Sequence, residues 1–290
     1  MFNFSSLLGK TEEEAISSLK REGIVYILKY NNDRKTVGDT PIVTRVKIED
    51  DVAELTISLF LTDITRKNFP KHLAFIMDGN RRWAVNQNVE KIHGHEKGRE
   101  AMENVIQHSL DLGVKKISFF AFSSENFKRD EKEKNDIFTV FNSFFSTCLE
   151  KYLPLGVSIN VIGDLSRLPK KLLSLIKKVN ETYPDYTRLQ VDIAISYGGQ
   201  SDILQAAKGF PENGSEEEFT ARLKSSQPFP DLVVRTGGER RISNFMLYQI
   251  AYSELYFSDT LWPDFSKEEL DNILLDYNNR ERRFGYLIRK

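Results

Sequence analysis

The run HLAFIMDG, residues 72–79, is apolar almost throughout and closes on Asp78-Gly79. Continuous hydrophobicity, without the alternation of a half-exposed strand, is the pattern of a parallel strand buried on both faces. Outward from it the form repeats in KKISFFAFS (115–123), VSINVIGD (157–164), LQVDIAISYGG (189–199) and DLVVRTGG (231–238). ELYFSDTLWPDF (254–265) supplies a sixth strand. Helical patterns fall at about 97–112, 131–152, 168–181, 200–209, 216–225, 241–251 and 266–280. Alternating strands and helices predict an α/β fold: a six-stranded, mostly parallel sheet flanked by helices on both faces.

Residues 1–68 read differently. Thr11 and Glu14 suggest a capping box, and Ala15, Leu19 and Gly23 fit one short helix. Three β-like runs follow at 24–30, 41–48 and 52–61, and a linker is expected near Thr65–Pro70. The expected organisation is a small α+β domain over 1–68 and an α/β domain over 69–290. Lys and Arg total 41 against 42 Asp and Glu, which argues against a nucleic-acid partner. Cys148 is the only cysteine, so neither an internal disulfide nor a cysteine zinc site is possible. The expected compartment is the reducing cytoplasm. No run reaches a membrane span, and the N-terminus lacks the basic start of a signal peptide. A peripheral association with a membrane stays open.

On parallel sheets ligands bind beyond the carboxyl ends of the strands. Here the first strand ends in Asp78-Gly79-Asn80-Arg81-Arg82-Trp83 and the second in Ser123-Ser124-Glu125-Asn126-Phe127-Lys128-Arg129. The fifth ends in Arg235-Thr236-Gly237-Gly238-Glu239-Arg240-Arg241-Ile242-Ser243, and the sixth begins near Glu254. Three loops thus bring arginines, small polar groups and two carboxylates, Asp78 and Glu254, to one edge. That inventory suits a diphosphate with a divalent cation: guanidinium forks, backbone N–H groups and a hard metal on one or two carboxylates. Below it, Ile137, Phe138, Phe141, Phe144, Phe145 and Leu149 recur at helical spacing. That face serves equally as core or as the wall of an apolar tunnel.

Taken with Gly94-His95-x-x-Gly98, Leu261-Trp262-Pro263-Asp264-Phe265 and Asn279–Gly285, these segments resemble the cis-prenyltransferases, undecaprenyl diphosphate synthase among them. The resemblance runs in order from about Lys71 to Gly285 and leaves the N-terminal unit as an extra. It implies condensation of isopentenyl diphosphate onto an allylic diphosphate, typically farnesyl diphosphate, with Mg²⁺ and a hydrophobic tunnel. The product would be a polyprenyl diphosphate such as undecaprenyl diphosphate, for lipid-carrier biosynthesis serving cell-wall or dolichol-type glycosylation. By the same resemblance Asp78 and Glu254 place the metal. Gly79, Asn80, Arg81 and Arg82 hold the allylic diphosphate, with His95 near the leaving group. Trp83, Phe122, Phe127 and Arg129 surround that pocket, and Arg235, Arg241 and Ser243 clamp isopentenyl diphosphate. Ser123 and Asn126 match residues that assist proton removal, which group takes the proton being left open. Ile137 and Phe141 belong to the tunnel, and Leu189 matches a bulky position near its floor.

Three departures stand out. Lys91 replaces an arginine of the allylic site, keeping the charge and losing the fork. Arg240 stands where a histidine is common, and Ser196-Tyr197-Gly198-Gly199-Gln200 replaces an Asn-Tyr-Gly-Gly-Arg pattern. Arg283-Phe284-Gly285 is similar to a tail that reaches across a homodimer. A non-catalytic scaffold subunit of a heteromeric enzyme is the competing reading; such subunits lack the metal aspartate, which this chain keeps. A nucleotide-binding Rossmann protein is excluded, because no G-x-G-x-x-G turn follows the first strand.

Overall fold

The computed structural model describes Leu7, residues 12–30, 40–49, 52–60, 69–184, 186–225, 227–280 and Arg282. They divide into two compact units: the described residues up to Phe69 with Leu274–Arg280, and Pro70–Ile273 with Arg282.

In the first unit, α1 (Glu12–Arg21) carries three glutamates in its first turn and Lys20 and Arg21 in its last, which complements the helix dipole. It ends in a Schellman motif, with Gly23 N–H bonded to Lys20 O and Ile24 N–H to Leu19 O. β1 (Val25–Tyr30), β2 (Thr40–Glu49) and β3 (Val52–Phe60) form a sheet of order β1-β3-β2, in which β1 runs parallel and β2 antiparallel to β3. Leu7, Ala15, Leu19, Ala53 and Leu55 make its core. The Thr11 half of the capping box, residue 61 of the third β run and residues 65–68 of the expected linker lie outside the described residues.

The second unit opens with β4 (His72–Ile76), the short helix α2 (Asn80–Asn86) and α3 (Lys91–Asp111). β5 (Lys116–Ser123), α4 (Glu131–Tyr152), β6 (Val157–Ile162), α5 (Lys170–Asn180) and β7 (Leu189–Tyr197) follow. Then come α6 (Gly199–Ala207), α7 (Glu216–Thr220), β8 (Leu232–Arg235), β9 (Glu254–Phe257) and α8 (Lys267–Asn278), whose residues from Leu274 on are assigned to the first unit. The six strands lie in the order β6-β7-β5-β4-β8-β9 and every pairing is parallel. One face carries Phe75 and Phe119, stacked at 5.5 Å and packed on Trp262. The other carries Ala74, Ala194 and Val233 against Phe245, Met246 and Ile250.

Three helices differ from the sequence reading; α7 is the simplest case, ending at Thr220, five residues short of its predicted end. α3 starts at Lys91, six residues before its predicted start, and Gly94 and Gly98 form a notch in its early turns. A Cβ at Gly94 would lie 2.2 Å from the Asn80 carbonyl oxygen, and one at Gly98 2.4 Å from Asn80 Oδ1. The predicted helix over 241–251 is absent, since Ser243, Asn244 and Met246 all take positive φ, at 48°, 64° and 44°. Those turns bring Phe245 onto Phe120, with ring centroids 4.6 Å apart.

The amino end of this sheet holds a buried polar cluster. Lys116 and Asp192 are each 1% exposed and pair at 2.9 Å. Ser225 accepts from the Lys116 ammonium and donates to Asp192 Oδ2, while the Asn160 and Gln190 amides donate to Oδ1. His72 completes it: Nδ1 donates to Pro228 O, so Nε2 accepts from the Ser118 hydroxyl, both at 2.8 Å. Burial, with the nearby Lys116 charge adding, pushes the His72 imidazole down to about 4.

Candidate active site

Beyond the carboxyl ends of β4, β5 and β8 opens a cavity of about 1060 Å³. Asp78 sits at its mouth with its backbone pinned on both sides. Its N–H reaches Ile76 O and Thr236 Oγ1, and its carbonyl accepts from Thr236 Oγ1 at 2.8 Å and Trp262 N–H at 3.0 Å. The carboxylate lies between two guanidiniums: Oδ1 accepts from Arg82 Nη2 at 3.0 Å and Oδ2 from Arg235 Nη2 at 2.8 Å. This close approach requires glycine at two positions. Gly79 has φ 121° with Leu261 Cα 2.9 Å from where its Cβ would be, and a Cβ on Gly237 would sit 2.5 Å from Arg82 Nη2.

Arg235 is 4% exposed and also donates through Nη1 to Arg241 O and Ser243 Oγ, both at 2.6 Å. Its Nε is buried with no partner. Asn80 Oδ1 and His95 Nε2 are orphaned in the same way. Buried polar atoms without partners cost free energy, and a cluster of them on one cavity marks where a ligand completes the set. Burial, with the Arg129 charge adding, pushes His95 down to about 4, so at neutral pH it is an uncharged group among cations.

A second cationic group closes the rim. Glu133, only 2% exposed, accepts from Arg129 Nη1 at 2.9 Å and Lys91 Nζ at 3.3 Å, and lies 3.7 Å from Arg81 Nε. Sequence reading missed Glu133; the signal was its place four residues after Arg129, the spacing that pairs opposite charges on one helix face. Ser123 and Asn126 form a reciprocal capping box at the end of β5. Below the charged mouth, Met102, Ile137, Val140, Phe141, Phe144, Phe145 and Ile193 make the cavity apolar.

Asp78, Gly79, Asn80, Arg81, Arg82, Lys91, His95, Ser123, Asn126, Arg129, Ile137, Phe141, Arg235, Arg241 and Ser243 all line this one cavity. Five expected residues do not. Phe122, beside a register shift in β5, packs against Phe127, Phe138 and the lining residue Phe141. Phe127 lies under the Arg167 guanidinium at 3.8 Å, and Trp83 Nε1 donates to Asp264 at 2.7 Å. Leu189 is fully buried at the first residue of β7, the amino end of the sheet.

Glu254 needs a larger correction. It is the first residue of β9, in register with Leu232 and Leu73, so it stands at the opposite end of the sheet from Asp78. Five residues along the strand direction separate them by roughly 16 Å, and two strands across by roughly 10 Å. One Mg²⁺ draws its ligands to about 2.1 Å. Within one chain, Asp78 and Glu254 are not a shared ligand pair. The error was to count the start of a parallel strand among the ends.

Comparison with known proteins agrees with this geometry. The undecaprenyl diphosphate synthase family model matches residues 76–285. An isoprenyl transferase of Aquifex aeolicus is 42% identical, over 76% of this chain and 97% of its own. The (2E,6E)-farnesyl-diphosphate-specific ditrans,polycis-undecaprenyl-diphosphate synthase of Haemophilus influenzae is 39% identical, over 78% of this chain and 99% of its own. The crystal structure of lavandulyl diphosphate synthase from Lavandula x intermedia, in complex with dimethylallyl diphosphate, superposes with a TM-score of 0.72 at 30% identity, covering 76% of this chain and all of that one. A parallel sheet with a charged mouth over an apolar cavity, matched across three quarters of the sequence, defines the class: the chain belongs to the cis-prenyltransferase family. The family joins an allylic diphosphate to isopentenyl diphosphate. No helix among the described residues is long and apolar enough to cross a membrane.

Proposed function

We propose that this chain extends farnesyl diphosphate with isopentenyl diphosphate in a Mg²⁺-dependent condensation, giving a cis-polyprenyl diphosphate such as undecaprenyl diphosphate for lipid-carrier synthesis. The observation that carries this reading is the Asp78 carboxylate held between Arg82 and Arg235 at the mouth of an apolar cavity. Primers differ among relatives, farnesyl diphosphate being named for the Haemophilus enzyme and dimethylallyl diphosphate bound in the lavender one. The long aromatic face of α4 favours the longer primer.

In this reading Arg82, Lys91, Arg129 and the first-turn N–H groups of α2 receive the allylic diphosphate. Arg235, Arg241 and Ser243 receive the isopentenyl diphosphate beside it. The allylic C–O bond breaks, pyrophosphate leaves with the electron pair, and the isopentenyl double bond forms the new C–C bond. Loss of one proton then sets the cis double bond. Guanidiniums fixed in place stabilise the charge that grows on the leaving group. Ser123 and Asn126 can relay a proton but not store one, so the final acceptor is another group at the cavity mouth.

The residues present fit a metal. Among the described residues no three His, Cys, Asp or Glu side chains form a closed metal site. Mg²⁺ bound with substrate phosphates asks for only one or two carboxylates, and Asp78 is 31% exposed inside the arginine ring. Bound there, the ion would neutralise charge on the departing pyrophosphate.

A homodimer is part of the proposal. The tail Arg283–Gly285 that suggested it lies outside the described residues. Its support is the sequence of that tail, similar to one that reaches across a homodimer. A cytoplasmic enzyme peripheral to its product's membrane is the corresponding location. The test is incubation of the purified chain with farnesyl diphosphate, labelled isopentenyl diphosphate and Mg²⁺. Organic-extractable products longer than the primer are expected; their absence overturns the proposal.

A further inference from the structure

α3 and α4 run in the same direction away from the charged mouth. Lys91 meets Glu133 near the start of both helices, and Glu103 meets Lys151 further down both. The apolar cavity descends beside them. α3 lines it with His95, Gly98, Arg99 and Met102, one stripe at helical spacing. Among the described residues, Arg99 is the one cation on this wall below His95.

Arg99 is tied in place. Its Nη1 donates to Glu103 Oε1 at 2.6 Å, and Glu103 also pairs with Lys151, six residues beyond the last lining residue of α4, Phe145. Side-chain exposure is 29% for Arg99, 16% for Glu103 and 50% for Lys151. The three charges therefore span the seam between the two helices, from the cavity wall to solvent. A seam is where a tube walled by two helices would let a lengthening hydrocarbon through. An isoprenoid tail offers nothing to replace the carboxylate, so passing Arg99 means parting a half-buried ion pair with no new partner.

We propose that Arg99, held by Glu103 and Lys151, is a determinant of product length: a polar plug in the α3–α4 seam at which elongation stops. This rests on the condensation reading above. The experiment sizes the products of wild type, Arg99→Met, Arg99→Lys and Glu103→Gln from farnesyl and labelled isopentenyl diphosphates with Mg²⁺. Arg99→Met and Glu103→Gln should move the product maximum up by at least one isoprenoid unit, while Arg99→Lys keeps the wild-type distribution. Unchanged lengths in Arg99→Met, or equal shifts in Arg99→Met and Arg99→Lys, overturn the plug. Wild type that makes no product refutes the condensation reading instead. Wild type also gives an answer without variants: inhibition by linear alkyl diphosphates should strengthen with each added carbon and level off at the length that reaches Arg99. Strengthening that continues past the wild-type product length overturns the proposal.

Discussion

The two ends of the large sheet both bury charge, and they do it in opposite ways. At the amino end the Lys116 ammonium, the Asp192 carboxylate and the His72 imidazole are closed to solvent, and their hydrogen bonds are met within the chain. At the carboxyl end Arg235 Nε, Asn80 Oδ1 and His95 Nε2 are buried with no partner, beside a carboxylate still partly open to solvent. Satisfied charge specifies a fold; unsatisfied charge around a cavity specifies a ligand. The two clusters should therefore fail differently when broken.

The largest effect is expected at the open end. Asp78→Ala should lower turnover by about 10³-fold or more, through lost stabilisation of the leaving charge. Its urea midpoint should fall less than that of the closed-end variant, since the Asp78 carboxylate is 31% exposed and water can enter between the two guanidiniums. Activity within tenfold of wild type at saturating Mg²⁺ would remove Asp78 from the chemistry. At the closed end the mirror result is expected. Asp192→Ala leaves the buried Lys116 without its carboxylate and should cost about 3–5 kcal/mol of stability, with KM values of the molecules that remain folded unchanged. Urea denaturation followed by circular dichroism reads the first, steady-state kinetics the second.

Acidity separates the ends less sharply. His72 takes a proton below about 6.5 when unfolded and only below about 4 when folded. Between those values the unfolded chain holds more protons, so stability falls as pH drops through the window, by up to about 3 kcal/mol. His95 adds a similar slope from the other end. His72→Gln should remove about half of the loss between neutral pH and about pH 4.5; denaturation curves that keep the full wild-type slope would exclude His72 as a source. The smallest effect is Lys91→Arg. Restoring a planar fork beside Glu133 should lower the KM for the allylic diphosphate by about threefold and leave that for isopentenyl diphosphate alone.

Sequence was most informative where period and chemistry agreed. The runs beginning at His72, Lys115, Val157 and Leu189 announced their strands because burial on both faces leaves no alternative pattern. The arginines at the strand ends announced an anion site because nothing in the core could use them. What sequence hid were effects of a single residue's backbone. The register shift around Phe122 left no mark in the apolar run, and the positive φ at Ser243, Asn244 and Met246 replaced a helix with turns. Glycines that look like helix breakers, Gly94 and Gly98, proved to be contact surface, which only the position of Asn80 reveals. Glu254 was misplaced because a motif records order along the chain, not which end of a parallel strand a residue occupies.

Trp262 joins two parts of the site that are otherwise separate. Its backbone N–H holds the Asp78 carbonyl and its indole N–H holds the Gly98 carbonyl at 2.7 Å, so one residue fastens the phosphate loop to the helix that walls the cavity. The loop and the wall are therefore tied through one tryptophan: moving either one alone stretches a hydrogen bond to the other.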